Sequence, residues 1–126
     1  MTTLALTDPN EAYRISEIDA RLDGAKAEEL VTFCLGQVIQ GLGASISAHG
    51  RNSYAARSKS LTRALTALTA LEMGVNRDAP LAGALLQVYG AARRSLLDCA
   101  LDFDPQALLV IRGDFVDILT ALSARP

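Results

Sequence analysis

The chain has 126 residues and a net charge of −2 at pH 7. This length suits one domain with its own core, and the charge gives no general attraction to nucleic acid or anionic membranes. Half of the residues are apolar, but only 5% are aromatic and tryptophan is absent. This composition, rich in alanine and leucine, favours closely packed helices over a β-sheet.

The first predicted element is a short N-terminal helix. Asp8, Pro9 and Glu11 form a capping pattern typical of a helix start, and the helix should end near Leu22, before a break at Asp23-Gly24. We predict that residues 1–25 form an N-terminal capping segment and that residues 26–126 form a helical bundle within the same single domain.

Two long helices come next, because apolar residues recur at steps of three and four. The first opens at Lys26–Glu29 and ends at His49-Gly50. Its predicted buried face consists of Leu30, Phe33, Cys34, Val38, Leu42 and Ile46. The second follows the polar turn 51–53 and stops near 74–76, with a predicted buried face of Leu61, Leu65, Leu68, Leu71 and Val75.

Two further helices complete the predicted fold. One begins near 78–80 and runs to about Leu101, with a core set of Leu81, Leu85, Val88, Ala92, Leu96 and Cys99. The last starts at Asp104-Pro105 and carries Leu108, Ile111, Phe115, Ile118 and Leu122. Because the connections are short, we predict an all-α fold, an antiparallel up-down-up-down four-helix bundle with an additional short N-terminal helix.

No catalytic constellation emerges from the residue types. The single histidine, His49, lies beside a glycine at a helix end, where we expect a solvated side chain. A phosphotransfer domain needs a histidine in mid-helix, and a carboxylate-bridged metal bundle needs Glu-x-x-His pairs. Cys34 and Cys99 lie far apart among apolar neighbours, as free buried thiols do. We therefore predict no enzyme, no cofactor and no metal site.

A basic cluster suggests one alternative partner. Arg51, Arg57, Lys59 and Arg63 fall within 13 residues that contain no acid, so a phosphate-binding stripe is conceivable. Only Tyr54 could stack on bases there, and the chain is acidic overall. We predict no nucleic-acid partner. Because no stretch approaches the roughly 20 consecutive apolar residues of a membrane span, we also expect a cytoplasmic protein without membrane insertion.

The third long helix carries a second apolar stripe beside its core set. This stripe comprises Leu86, Tyr89 and Leu97, and the N-terminal helix offers a further apolar set. Either the N-terminal helix completes a five-helix core, or the stripe forms a groove for a partner segment and the N-terminal helix is its lid. The predicted partner-binding residues are Tyr13, Ile18, Leu22, Leu85, Leu86, Tyr89, Arg93 and Leu97.

Short motifs follow one another along most of the chain. Ala12-Tyr13, Leu22 and Glu28-Glu29-Leu30 come first, and Arg63-Ala64 and Leu71 lie on the second long helix. On the third long helix, Leu85-Leu86-Gln87-Val88-Tyr89 is followed by Arg94, Leu96, Asp98 and Ala100. These motifs and their order resemble the FliS family of flagellin-specific export chaperones, in which the run at 85–89 is Leu-Tyr-x-Leu-Tyr. Two family tyrosines and the frequent tryptophan of the last helix are missing, so the resemblance is to a divergent member.

The resemblance implies a function. Family members are helical bundles that bind the C-terminal segment of newly made flagellin in the cytosol, prevent its premature polymerisation and deliver it to the export gate. In the family the client wraps around the bundle, and an N-terminal segment lies near part of that surface. The expected partners are therefore flagellin and, beyond it, the flagellar export gate. The alternative is a helical-bundle regulatory module for another protein partner.

Overall fold

The computed structural model describes residues 23–124, and the regular elements in that range are four α-helices with no strand. They are α1 (Asp23–Gly50), α2 (Tyr54–Met73), α3 (Ala82–Leu101) and α4 (Pro105–Ser123). The chain divides into two compact units, residues 1–30 and residues 31–126. In the first unit, only the opening turns of α1 are described. The second unit contains the rest of α1 and the other three helices, an all-α four-helix bundle.

The helix ends agree with most of the sequence predictions. Asp104 caps α4, since its carboxylate accepts hydrogen bonds from the backbone N–H groups of Gln106 and Ala107 at 3.1 and 3.3 Å, and Pro105 occupies the first turn. The turn before α2 contains Asn52 at φ 57°, a left-handed conformation that asparagine tolerates well. One prediction was wrong: Asp23 and Gly24 are part of α1, so this helix does not begin at Lys26. The predicted helix before Leu22 lies outside the described residues.

Contacts between helices show that consecutive helices run antiparallel. Between α1 and α2, Gly41 lies against Ser60 and Ala64, while the Ser45 hydroxyl, four residues further along α1, donates to the Arg57 carbonyl at 3.2 Å. Later residues of α1 therefore contact earlier residues of α2, so the two helices are antiparallel, as a short connection requires.

The last helix returns to α1 and closes the bundle. The Arg112 Nε donates to the Ile39 carbonyl at 3.3 Å, which ties α4 to α1. About one turn further along α4, the Phe115 ring lies 6.0 Å from that of Tyr89 on α3, measured between centroids. Phe115 is fully buried, and it forms the centre of the core together with leucines from all four helices.

The core shows that α1 and α3 are rotated relative to the predicted faces. On α1, Leu35 is fully buried, whereas Phe33 is 63% exposed and Leu30 is also exposed. On α3, Tyr89 is only 3% exposed while Val88 is 39% exposed. The observed inward positions of α3 are Ala82, Leu85, Tyr89, Ala92, Leu96 and Cys99. This is again a three-four spacing, but it passes through residue 89 where the prediction chose residue 88.

The segment Ala27–Gly50 of α1 is long and apolar enough to count as a candidate membrane span, which the search for consecutive apolar residues did not indicate. About a third of it is buried within the protein. Leu35, Val38 and Leu42 are among its fully buried side chains and belong to the bundle core. The role of α1 as a core helix therefore accounts for its apolar character.

Candidate partner-binding surface

The structure separates the predicted binding residues of α3 by depth. Leu85 is partly buried against the core and Tyr89 lies within it, stacked at a tilt against Phe115. Leu86 is half-buried, and Leu97 is 49% exposed. Only Leu86 and Leu97 therefore offer apolar surface to a partner, and the prediction that placed Tyr89 on an outer stripe was wrong. The remaining members, Tyr13, Ile18 and Leu22, lie outside the described residues.

Burial also affects the chemistry of Tyr89. Desolvation raises the pKa of its phenol above the usual 10.0, and the neighbouring Cys34 thiol adds to the rise. The phenol is accordingly neutral across the physiological range. Tyr89 is thus a packing residue, and its buried environment disfavours the charged form of its hydroxyl group.

Arg93, between Leu86 and Leu97 on the same side of α3, is held by α2. Its Nε donates to a carboxylate oxygen of Glu72 at 2.8 Å, and its Nη2 donates both to the same oxygen and to the Thr69 hydroxyl, at 2.7 Å in the latter case. Both charged side chains are partly buried. Such a paired guanidinium fixes the spacing of two helices and keeps a charge in a defined place.

A shallow furrow continues between α2 and α3 beyond this ion pair. It contains a cavity of about 90 Å³ lined by Arg57, Ser58, Leu61, Thr62, Leu65, Cys99 and Ala100. Leu97 follows Arg93 by about one helical turn and so lies on the same side of α3. We call this surface, from Leu86 to Leu97 with the cavity beside Ala100, the α2/α3 furrow.

A second concave surface lies on the opposite side of α2 and was missed by sequence reasoning. It is an apolar depression of about 340 Å³ lined by Phe33, Cys34, Gln37, Arg63, Thr66, Ala67 and Ala70. We call it the α1/α2 groove. The sequence analysis placed Phe33 in the core. An alternative three-four register through Leu35, Val38, Leu42 and Ser45 would have shown that Phe33 points outward.

The basic cluster of the sequence does not form one stripe. Arg57 lies between two rings, with its guanidinium carbon 4.8 Å from the Tyr54 centroid and 4.6 Å from that of Phe103. Its Nη1 donates to Nδ1 of His49 at 3.0 Å, and the His49 ring stacks on Phe103 at 4.5 Å. His49 is therefore packed into the end of the bundle and is not the solvated residue we expected.

The other three basic residues lie in two different places. Arg51 donates to the Ser47 hydroxyl at 2.6 Å, a contact local to the end of α1, so of the four cations only Arg57 joins different helices at this end of the bundle. Lys59 and Arg63 are exposed on α2, and Arg63 borders the α1/α2 groove. Within residues 23–124, no three His, Cys, Asp or Glu side chains converge on a possible metal site. Of the two concave surfaces, the α1/α2 groove is the more apolar one.

A known protein family matches most of the chain. The family model described as flagellar protein FliS matches residues 9–122, nearly the whole chain. A search of curated proteins finds no significant match. The matched range includes all of α1, α2 and α3, both concave surfaces and most of α4.

Proposed function

The chain belongs to the FliS family of flagellar proteins, which indicates a flagellar chaperone role, and from this premise we propose that it is a cytoplasmic export chaperone for flagellin. In this proposal it binds the C-terminal segment of flagellin, prevents premature polymerisation and delivers the client to the export gate. The family match over residues 9–122 is the observation that carries the proposal. It is also why we assign a binding role and no enzymatic one.

The exposed apolar side chains of the bundle support a chaperone role on physical grounds. A segment that is disordered when free and folds on binding needs an apolar surface to bury its own apolar side chains. Burying one leucine-sized side chain contributes about 1.5–3 kcal/mol, whereas ordering the segment costs about 2–5 kcal/mol. Burial of several exposed leucines, such as Leu97 and Leu101, therefore offsets the ordering cost with a modest net gain, which keeps binding reversible.

We place the client contacts of α3 on the α2/α3 furrow. Leu86 and Leu97 contact the client directly, and Arg93 holds the edge of the furrow through Glu72. Leu85 and Tyr89 support this surface from the core.

The test is co-purification of the full chain with a C-terminal fragment of the host's flagellin, followed by titration calorimetry. We expect binding that Leu97→Asp weakens by about tenfold or more, because a charge replaces a leucine that the client buries. Val110→Asp is the matched control. Val110 is 65% exposed on α4, on a helix face shared with Asp114 and Asp117.

Two results would refute the proposal in different ways. A folded chain that does not bind the fragment at tens of micromolar is not a flagellin chaperone, and recovery of a different flagellar protein from the host would then favour a regulatory module. Equal losses of affinity for Leu97→Asp and Val110→Asp, with the helical circular-dichroism signal retained, would show that the client does not use the α2/α3 furrow.

A further inference from the structure

We infer that His49, Arg57 and Phe103 form a proton-sensitive clasp at one end of the bundle, closed while His49 is neutral and opened when His49 is protonated. The clasp joins the last turn of α1 and the first turn of α2 to the turn between α3 and α4. The inference goes beyond the proposed function, because it concerns a response of the fold itself to pH. The hydrogen bond between the histidine and the arginine is the observation that carries it.

The clasp is built around the side chain of Arg57. Its guanidinium carbon lies 4.6 Å from the centroid of the Phe103 ring and 4.8 Å from that of the Tyr54 ring. The His49 ring stacks on Phe103 at 4.5 Å and lies within hydrogen-bond distance of Arg57. The three clasp residues are half-buried. Two rings and one hydrogen bond therefore hold the guanidinium in place.

The hydrogen bond determines the protonation state of His49. A guanidinium has N–H donors and no acceptor, so Nδ1 of His49, 3.0 Å from Nη1 of Arg57, accepts the hydrogen bond and carries no proton. The ring is then neutral, with its proton on Nε2. Protonation would turn Nδ1 into a donor that faces another donor, and it would bring two cations into contact. Like charges repel strongly at this range in a half-buried site, so the contact requires neutral His49.

Among the described residues, no carboxylate is placed to offset this repulsion. Asp102 and Asp104 belong to the turn between α3 and α4, but neither forms an ion pair with a clasp residue in that part of the chain. The Asp104 carboxylate instead accepts hydrogen bonds from two backbone N–H groups of α4. Arg51, two residues after His49, adds another positive charge at the end of α1. Protonated His49 would therefore meet positive charge without a compensating partner.

The clasp stabilises the fold over a defined range of pH. Histidine without specific contacts takes up a proton at about pH 6.5. The hydrogen bond exists only in the folded chain, and only while Nδ1 of His49 is unprotonated. Its contribution to the free energy of unfolding is therefore complete above about pH 7 and is lost as the pH falls toward about 5.

The tautomer of His49 can be measured directly in the full, unmodified chain. His49 is the only histidine, so its ring signals in NMR spectra need no further assignment. Long-range proton–nitrogen correlation spectra at about pH 7.5 distinguish the two neutral tautomers. We expect the tautomer with its proton on Nε2. A proton on Nδ1 at this pH would show that Arg57 does not donate there, and it would overturn the inference.

Substitutions test whether the histidine and the arginine act together. His49→Phe is the matched control, since it keeps a ring that can stack on Phe103 but has no nitrogen. Urea unfolding at about pH 7.5 and about pH 5 should show that acidification raises the unfolding constant about tenfold more in the parent chain than in His49→Phe. Arg57→Met, which keeps the length without the charge, should reduce this excess to about twofold or less. Carboxylates that titrate in the same range affect all three chains alike.

Cys99 reports whether this end of the bundle opens locally. It is 3% exposed, its thiol donates to the Asp104 carbonyl at 3.7 Å, and it lines the same small cavity as Arg57. With Cys34→Ser as background, its reaction with a pyridyl disulfide is measured at about pH 7.5 and about pH 5. Relative to the same change in His49→Phe, acidification should speed this reaction by about fivefold or more, because the clasp no longer closes the turn. Equal changes in both chains would show that the turn stays closed, and would overturn the inference.

Two unfolding results would also overturn the inference. An equal acid response in the parent chain and His49→Phe would show that His49 is not the sensitive group. A response of parent size in Arg57→Met would assign the sensitivity to a contact outside the clasp. The tautomer measurement uses the parent chain, so it decides the inference even if a variant does not fold. None of these measurements involves a client, so their failure leaves the proposed function unaffected.

Discussion

Gly36 and Gly41 lie on the same helix but in different surroundings, so the same substitution should have different effects at the two positions. At Gly36 a Cβ atom would meet nothing within 4 Å. At Gly41 it would lie 2.9 Å from the Ser60 carbonyl oxygen, 3.0 Å from the Ala64 Cβ and 3.1 Å from the Ala64 nitrogen. Two of these three neighbours are backbone atoms, which cannot move without shifting α2.

The magnitudes follow from two opposing terms. Replacing a glycine in a helix interior with alanine stabilises the helix by about 0.5–1 kcal/mol, and Gly36→Ala should show this gain alone. Gly41→Ala has the same gain, but forcing α1 and α2 apart costs about 1–3 kcal/mol, the usual range for overpacking. We therefore expect Gly41→Ala to be about 1–3 kcal/mol less stable than Gly36→Ala, and at or below the stability of the parent chain.

The assay is urea unfolding followed by circular dichroism at 222 nm, which gives the free energy of unfolding for the parent chain and both variants. Equal slopes in urea would show that the unfolded states are comparable. If Gly41→Ala proves as stable as Gly36→Ala, α1 and α2 do not approach closely at this point.

Two further predictions concern the core and a helix end. The pKa of Tyr89 is raised in the folded chain, so the phenol ionises more readily in the unfolded chain. The contribution of Tyr89 to the free energy of unfolding is therefore complete below pH 10 and is lost as the pH rises further. Urea unfolding at a series of pH values between 8 and about 11 should therefore show that the free energy of unfolding falls more steeply with pH for the parent chain than for Tyr89→Phe. An equal fall in both chains would refute this. Asp104→Ala should cost about 1 kcal/mol through loss of the cap on α4, whereas Asp102→Ala, two residues earlier, should cost much less; equal costs would show that the cap is not responsible.

The four long helices and most of their ends could be predicted from the sequence. The Asp104-Pro105 pair marks the start of α4 because a capping carboxylate and a proline both suit the first turn wherever the helix packs. The family was also recognisable from the order of its motifs along the chain. These features are local or linear in sequence, so they do not depend on how the helices are rotated.

The rotation of each helix about its own axis could not be predicted, because two different sets of apolar positions with three-four spacing often share several residues. Leu85 and Ala92 belong to both candidate faces of α3, and the packing of the other helices, with Phe115 of α4 beside Tyr89, turns Tyr89 and not Val88 inward. On α1, too, two registers were possible. In the structure Leu35 lies in the core and Phe33 points outward, where it lines the α1/α2 groove. Arg57 was equally undetermined, since its pairing with His49 and Phe103 joins residues that are distant in sequence.

The sequence by itself therefore determined that this chain is a helical bundle of the FliS family, with its helices in a known order and with mostly known ends. Only the tertiary structure decided which side chains remain exposed. The physical reason is that periodicity defines an apolar face to within about one residue, whereas burial depends on the neighbouring helix that each side chain meets.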